Sequence, residues 1–180
     1  MAFPQEHSHP AQSSLHPAPE HIPATGSMLR IGVLSDTHGL FRPELTSALA
    51  GVDHILHAGD VGDITILDRL REIAPITAIR GNIDTDGATA ALPETEIVEL
   101  GGRLIYLLHD LKTLDLVPQA AGISVIISGH THQAWMESRN GILYLNPGSV
   151  GPRRFKLPIT LARLTITSGN LHAELVTLAL

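Results

Sequence analysis

Two histidines one residue apart, His130 and His132, close the stretch Ile126-Ile127-Ser128-Gly129-His130-Thr131-His132, an apolar run that breaks at a glycine. Neutral imidazole is a common ligand of transition metals, so a His-x-His pair leaving a buried strand presents two nitrogens together. Alone, such a pair reads more readily as surface histidines in a loop. Asp36 and His38 repeat the arrangement after the apolar run 29–34, although an Asp in that place is also a favoured turn or capping residue. Asp60 follows the run 52–58, Asn82 follows 76–79 and His109 follows 103–108. Asp36, His38, Asp60, Asn82, His109, His130 and His132 are too many ligands for one ion and suit two ions that share a carboxylate. Two such ions can turn a shared water into hydroxide near neutral pH, a hydrolytic nucleophile that needs no protein side chain.

The elements that must position these residues follow from the hydrophobic pattern. Asp36, Asp60 and Asn82 are separated by 24 and 22 residues, about the length of a compact βα unit. The pattern predicts strands at 29–34, 52–58 and 76–79. A helix over 43–50 carries Pro43 in its first turn, and a second over 64–73 carries Ile64, Leu67, Leu70 and Ile73 at helical spacing. Three parallel strands would then deliver an acid or amide to the edge where ligands bind in open α/β sheets. The second half reads differently. Gly101-Gly102 predicts a hairpin between 96–100 and 103–108, and Asn140-Gly141 another between 134–139 and 142–145. A helix is expected over 113–121 and a strand over 123–128. Asn146-Pro147-Gly148-Ser149 breaks the chain before a last hairpin, 160–167 with 171–178.

Composition bounds what can be built on these elements. With 180 residues and 43% hydrophobic content, the chain suffices for one core, filled by aliphatic side chains because aromatics are only 3%. The absence of cysteine excludes disulfides, thiolate metal sites and a cysteine nucleophile, leaving nitrogen and oxygen as ligands. A net charge of −6 argues against an extended nucleic-acid surface, which needs clustered Lys and Arg. Residues 1–27 alternate prolines with His7, His9, His16 and His21 without hydrophobic period, and are expected to be a disordered leader to a domain over 28–180. Gly26-Ser27-Met28 reads as a junction, with Met28 as an alternative start. The leader lacks the basic start and apolar run of a secretory signal, and no later run spans a bilayer, so a cytoplasmic protein without membrane contact is expected.

In order and spacing, Asp36-x-His38, Gly59-Asp60, Gly81-Asn82-x-Asp84, His109 and Gly129-His130-Thr131-His132 resemble the motifs of the calcineurin-like metallophosphoesterase superfamily. The resemblance covers residues 28–180. It is nearest to the small bacterial and archaeal phosphodiesterase branch, the YfcE-like proteins, whose signature Asn146-Pro147-Gly148-Ser149 also resembles. It implies an α/β fold, a four-layer α/β/β/α sandwich. It also implies that Asp36, His38 and His132 hold one divalent metal, that Asn82, His109 and His130 hold a second, and that Asp60 bridges them. Manganese is the family's frequent choice, with nickel, cobalt, iron or zinc also suited to the ligand set. The implied activity is a phosphodiesterase acting on a small phosphate diester through attack of a two-metal-bridged hydroxide, with Asp60, Asn82 and His109 as the catalytic positions.

Several residues carry two readings. Ile83 stands where many larger members have a histidine, and cannot protonate a leaving group; this favours diesters with good leaving groups over monoesters. Asp110 replaces a glycine common in relatives, and either orients His109 or begins the next turn. Asp84 either supports a ligand or makes a turn. Arg153 and Arg154, with Lys156, could bind the substrate's phosphoryl oxygens or form a solvated loop, and Arg80 shares that ambiguity. His54 and His57 lie within a strand and read as packed residues. A protein-binding scaffold like the retromer subunit of this architecture, or a nuclease or cyclic-nucleotide phosphodiesterase, are the competing readings. An exposed sheet edge allows a homodimer.

Overall fold

The computed structural model describes residues 28–179, so the expected leader over 1–27 lies outside the described residues. The first half alternates strands with short helices: β1 (Leu29–Leu34), α1 (Glu44–Ala48), β2 (His54–His57), α2 (Thr65–Arg71) and β3 (Ile76–Ala78). Its three strands are parallel neighbours, with β2 between β1 and β3. The second half contributes β4 (Thr95–Leu100), β5 (Arg103–Leu108), β6 (Ile123–Ile127), β7 (Trp135–Arg139), β8 (Ile142–Asn146), β9 (Thr160–Thr167) and β10 (Asn170–Thr177). They complete two five-stranded sheets, ordered β10-β9-β1-β2-β3 and β4-β5-β6-β8-β7. The three expected hairpins form. At the turn between β7 and β8, Asn140 and Gly141 both take positive φ, as a two-residue turn with the twist of its strands requires.

Between the sheets, Ile31, Val33, Leu56 and Ala58 of the first meet Ile105, Leu107, Val125 and Ile127 of the second. Each such large aliphatic side chain stabilises the fold by roughly 1.5–3 kcal/mol relative to exposure. The outer face of the first sheet is covered by α1 and α2, through Leu45, Leu49, Leu67 and Leu70 against Leu34 and Ile55.

The outer face of the second sheet departs from the expected pattern. In place of a helix over 113–121 there is a single 3-10 turn, Leu111–Thr113, after which Leu114 is extended. Pro118 explains the difference: in a helix interior it would remove a donor and strike the preceding turn, at about 3 kcal/mol. Leu111, Leu114 and Leu116 instead pack on Tyr106, Leu108 and Ile126. The α/β sandwich is present, with a thin fourth layer of turn and loop.

Candidate metal centre

All seven predicted ligands stand beyond the carboxyl ends of β1, β2, β3, β5 and β6, which run parallel within each sheet. The chain turns sharply there. Asp36, His38, Asp60, His130 and His132 have φ between +47° and +67°, a region that non-glycine residues rarely adopt. Such strain persists only where surrounding structure enforces it, and it gathers at functional sites. The enforcing contacts link one loop to the next. The Asp36 amide donates to the Gly59 carbonyl and the His38 amide to the Asp60 carbonyl, each at 3.0 Å. Asp84, fully buried, accepts from the amides of Val61, Gly62 and Gly81 at 2.8–3.0 Å, so it ties the loop after β2 to the loop after β3.

The two carboxylates are held in the same manner. Asp36 Oδ2 accepts from the His130 amide at 3.1 Å, and Asp60 Oδ1 from the Ile83 amide at 3.0 Å. Their other oxygens turn to the imidazoles: Asp36 Oδ1 lies 3.2 Å from His132 Nε2, and Asp60 Oδ2 lies 3.3 Å from His109 Nε2. Two glycines permit this approach. A Cβ on Gly81 would lie 2.2 Å from Asp60 Oδ1, and one on Gly129 would lie 2.7 Å from Asp36 Oδ2.

The imidazoles leave lone pairs facing acceptors. His109 Nδ1 lies 2.7 Å from the Ala58 carbonyl, which can only accept, so Nδ1 carries the proton. In a neutral ring the His109 Nε2 lone pair then faces the Asp60 carboxylate, and a proton or a cation must lie between them. Burial pushes the His109 imidazole down, but Asp60 and the Ala58 carbonyl outweigh it and its pKa rises above the ordinary value. Burial likewise acts to raise Asp60, but His109 and the Ile83 amide hold it below the usual carboxylate range. His38, whose Nε2 lies 3.2 Å from His132 Nε2, is lowered chiefly by burial, with Arg154 adding to the effect and both carboxylates opposing it.

These positions fit a metal. Asp36 Oδ1, His109 Nε2 and His132 Nδ1 are buried without a hydrogen-bond partner, a costly arrangement unless something else satisfies the cluster. Asp36, His38 and His132 form one group able to hold an ion, and Asp36, Asp60 and His109 a second that overlaps it. Asn82 and His130 form a more open flank: His130 Nδ1 is 2.9 Å from Asn82 Oδ1, and the two rings of His109 and His130 meet edge to face. Oxygen and imidazole donors without sulfur suit manganese, iron, cobalt, nickel or zinc.

The residues with two readings separate. Arg154 reaches the cluster, its guanidinium 3.3 Å from His38 Nε2, while Arg153 and Lys156 are exposed beside it. Arg80 pairs with Glu94 on the surface. Asp110 does not orient His109; one oxygen caps the following turn at the Lys112 amide, and the other lies 3.9 Å from His130 Nε2. His54 bonds Thr77, as a packed residue. His57 is fully buried: Nδ1 accepts from the Gly59 amide, so Nε2 donates to Thr37 Oγ1, whose hydroxyl donates to the Val61 carbonyl. Burial lowers its pKa to about 4.

Sequence reasoning missed two supports. Asn146 Nδ2 donates to the Gly129 carbonyl at 2.6 Å, and Ser149 Oγ to the Asp36 carbonyl at 3.0 Å, so the end of β8 and the turn after it brace the loop with the Asp36–His38 pair and the loop with the His130–His132 pair. The only signal was the Asn-Pro-Gly-Ser turn itself. Two clefts of about 290 Å³ lie elsewhere, one lined by Met136 and Leu171, the other by Arg30 and Arg163. No helix among the described residues is long and apolar enough to cross a membrane.

Comparison with known proteins points the same way. The calcineurin-like phosphoesterase superfamily domain matches residues 29–169. A protein of Methanocaldococcus jannaschii named probable metallophosphoesterase is 36% identical over 164 residues, covering 84% of this chain and 82% of that one. Among solved structures, an archaeal phosphodiesterase shares the fold with a TM-score of 0.67 at 21% identity, over 82% of this chain and all of that one. Vps29 of Entamoeba histolytica, solved with zinc, shares it with a TM-score of 0.62 at 23% identity, over 83% and 99%.

Proposed function

The chain belongs to the calcineurin-like phosphoesterase superfamily, and from that premise we propose that it is a metal-dependent phosphodiesterase with two divalent ions, manganese foremost. One observation carries the reading: Asp36 and Asp60 each spend one oxygen on a backbone amide of another loop and aim the other into a cluster of imidazoles. Asp36, His38 and His132 would hold one ion, Asn82, His109 and His130 the other, and Asp60 would serve both. Two ions, when bound, supply Lewis acidity and a hydroxide nucleophile near neutral pH. The chain's own part is placement. Asp60, Asn82 and His109 would hold the ions that position the reacting phosphate, and Arg154 would oppose the charge that builds on its free oxygens. Ile83 faces solvent beside Asn82 and offers no proton, so esters whose leaving group departs unassisted are favoured.

Hydrolysis of bis-p-nitrophenyl phosphate by metal-stripped protein, before and after manganese, tests this. Manganese-dependent turnover that Asp60→Asn abolishes, with weaker turnover of p-nitrophenyl phosphate, is expected. The fold shared with Vps29 favours a second reading, a protein-binding scaffold. Metal binding alone does not divide the two, since that Vps29 was solved with zinc; turnover does. Stoichiometric metal without turnover in any of the five metals would favour the scaffold.

A further inference from the structure

Seven large apolar side chains are exposed among the described residues, and three of them follow site residues closely in the chain: Leu40 after His38, Ile83 after Asn82 and Phe155 after Arg154. Single exposed hydrophobics need no explanation, but one held exposed in a strained backbone does. Phe155 is the extreme case. It is 93% exposed and has φ of +53°, a conformation in which a bulky side chain is a genuine outlier. The chain contains only three phenylalanines, so one is held in a strained conformation where its ring gains nothing from the core.

Its neighbours suggest what the ring meets. Arg153, Arg154 and Lys156 flank it, all exposed, and the Arg154 guanidinium lies 3.3 Å from His38 Nε2. Phe155 is thus the chain neighbour of the residue whose side chain reaches the cluster. The clefts lined by Met136 and Leu171 and by Arg30 and Arg163 lie away from these residues. An aromatic face beside a cation can hold a ring and the phosphate attached to it together, the combination by which proteins bind single-stranded nucleic acid without reading its sequence.

We propose that Phe155 is a specificity-determining residue that stacks on a planar aromatic ring in the organic arm of the phosphate ester, while Arg154 meets the phosphate. The inference rests on the phosphodiesterase reading for the phosphate centre, and adds the substrate class: esters bearing an aryl group or a nucleobase. The two sources share the same ring chemistry.

Binding by the manganese-loaded full chain decides it. Titration calorimetry would compare methyl phosphate, phenyl phosphate and thymidine 5′-phosphate on the parent, Phe155→Ala and Phe155→Trp proteins. At least one aromatic ester should bind about fivefold or more tightly than methyl phosphate, the low end of stacking on an exposed ring. Phe155→Ala should erase that advantage and leave methyl phosphate unchanged, and Phe155→Trp should keep it. Which aromatic ester gains more identifies the source of the ring. Equal binding of the three esters by the parent, binding of none, or an equal loss for all three in Phe155→Ala would overturn the proposal; the last would mean that the loop merely places Arg154. Turnover of bis-p-nitrophenyl phosphate, measured separately, tests the phosphodiesterase reading, so the two can fail independently.

Discussion

The two halves of the candidate centre are built to different standards. Around Asp36, the His132 side chain is 3% exposed and His38 13% exposed, and the backing is dense: Ser149 holds the Asp36 carbonyl while His57 and Thr37 fill the space behind. On the other flank His109 is buried against Ala58, but His130 is 41% exposed and Asn82 is also at the surface. Near the outer nitrogen of His130 stands the Asp110 carboxylate, itself part exposed. A preorganised position pays little ordering cost when an ion arrives, whereas an open one must immobilise its ligands first. If two ions bind here, the contrast predicts that the position at Asp36 and His132 is retained through purification and the other is filled only at supplied metal.

Asp60 is the residue that would erase the contrast, because its free oxygen faces both halves, 3.3 Å from His109 and 3.8 Å from His38. Asp60→Asn should cost at least about 10²-fold in kcat/KM on a chromogenic diester, the scale of losing a central electrostatic contact. Metal analysis after dialysis should show both positions weakened. Full retention of one ion at parental affinity would show that the halves do not share this carboxylate.

Single replacements on each side sharpen the comparison. His132→Ala should empty the buried position and lower manganese content measured after dialysis, whereas His130→Ala should leave that content unchanged and lose only the weaker phase of a titration. Equal losses from both variants would contradict the asymmetry.

His57 tests whether the dense backing is as neutral and dry as its bonds require. Its folded pKa, about 4, lies below the ordinary 6.5, so the unfolded chain takes up the proton first as pH falls. The stability that a neutral His57 contributes is therefore complete above pH 6.5 and lost between 6.5 and 4, by about 3 kcal/mol. Urea denaturation of metal-free protein should show this slope, and His57→Gln should flatten the difference between those pH values. An unchanged slope would mean that the ring is already solvated or charged.

Much of this centre was legible in the sequence because parallel strands end at one edge, and a polar residue just after an apolar run marks that edge. Asp36, Asp60, Asn82, His109 and His130 were found in that way. Hydrophobic period does not record which loop's amide meets which carboxylate. Hence the bond from Ile83 to Asp60, the triple grip of Asp84 and the bracing by Asn146 were invisible until the sheets were packed. The helix expected over 113–121 fails for a local reason, Pro118 in its interior. Of the two readings of Asp110, the one that begins the next turn holds, because successive residues diverge after a strand; its other oxygen approaches His130 of the adjoining strand's loop.

That last contact supplies the smallest effect. His130 Nδ1 faces Asn82, leaving Nε2 toward Asp110 at 3.9 Å, beyond a direct hydrogen bond. A carboxylate that accepts the outer N–H of an imidazole fixes its tautomer and strengthens the inner nitrogen as a ligand, and losing such a partner typically costs 10- to 100-fold in metal affinity. Because both side chains are partly solvated, Asp110→Asn should fall near the lower bound, about tenfold, confined to the weaker phase of a manganese titration. The imidazole nitrogen shifts of His130 in the metal-free protein should move toward a mixture of tautomers in that variant. A tenfold loss without that change would assign the effect to charge alone; a loss at the buried position would instead mean that the two halves are coupled through the loop after β5.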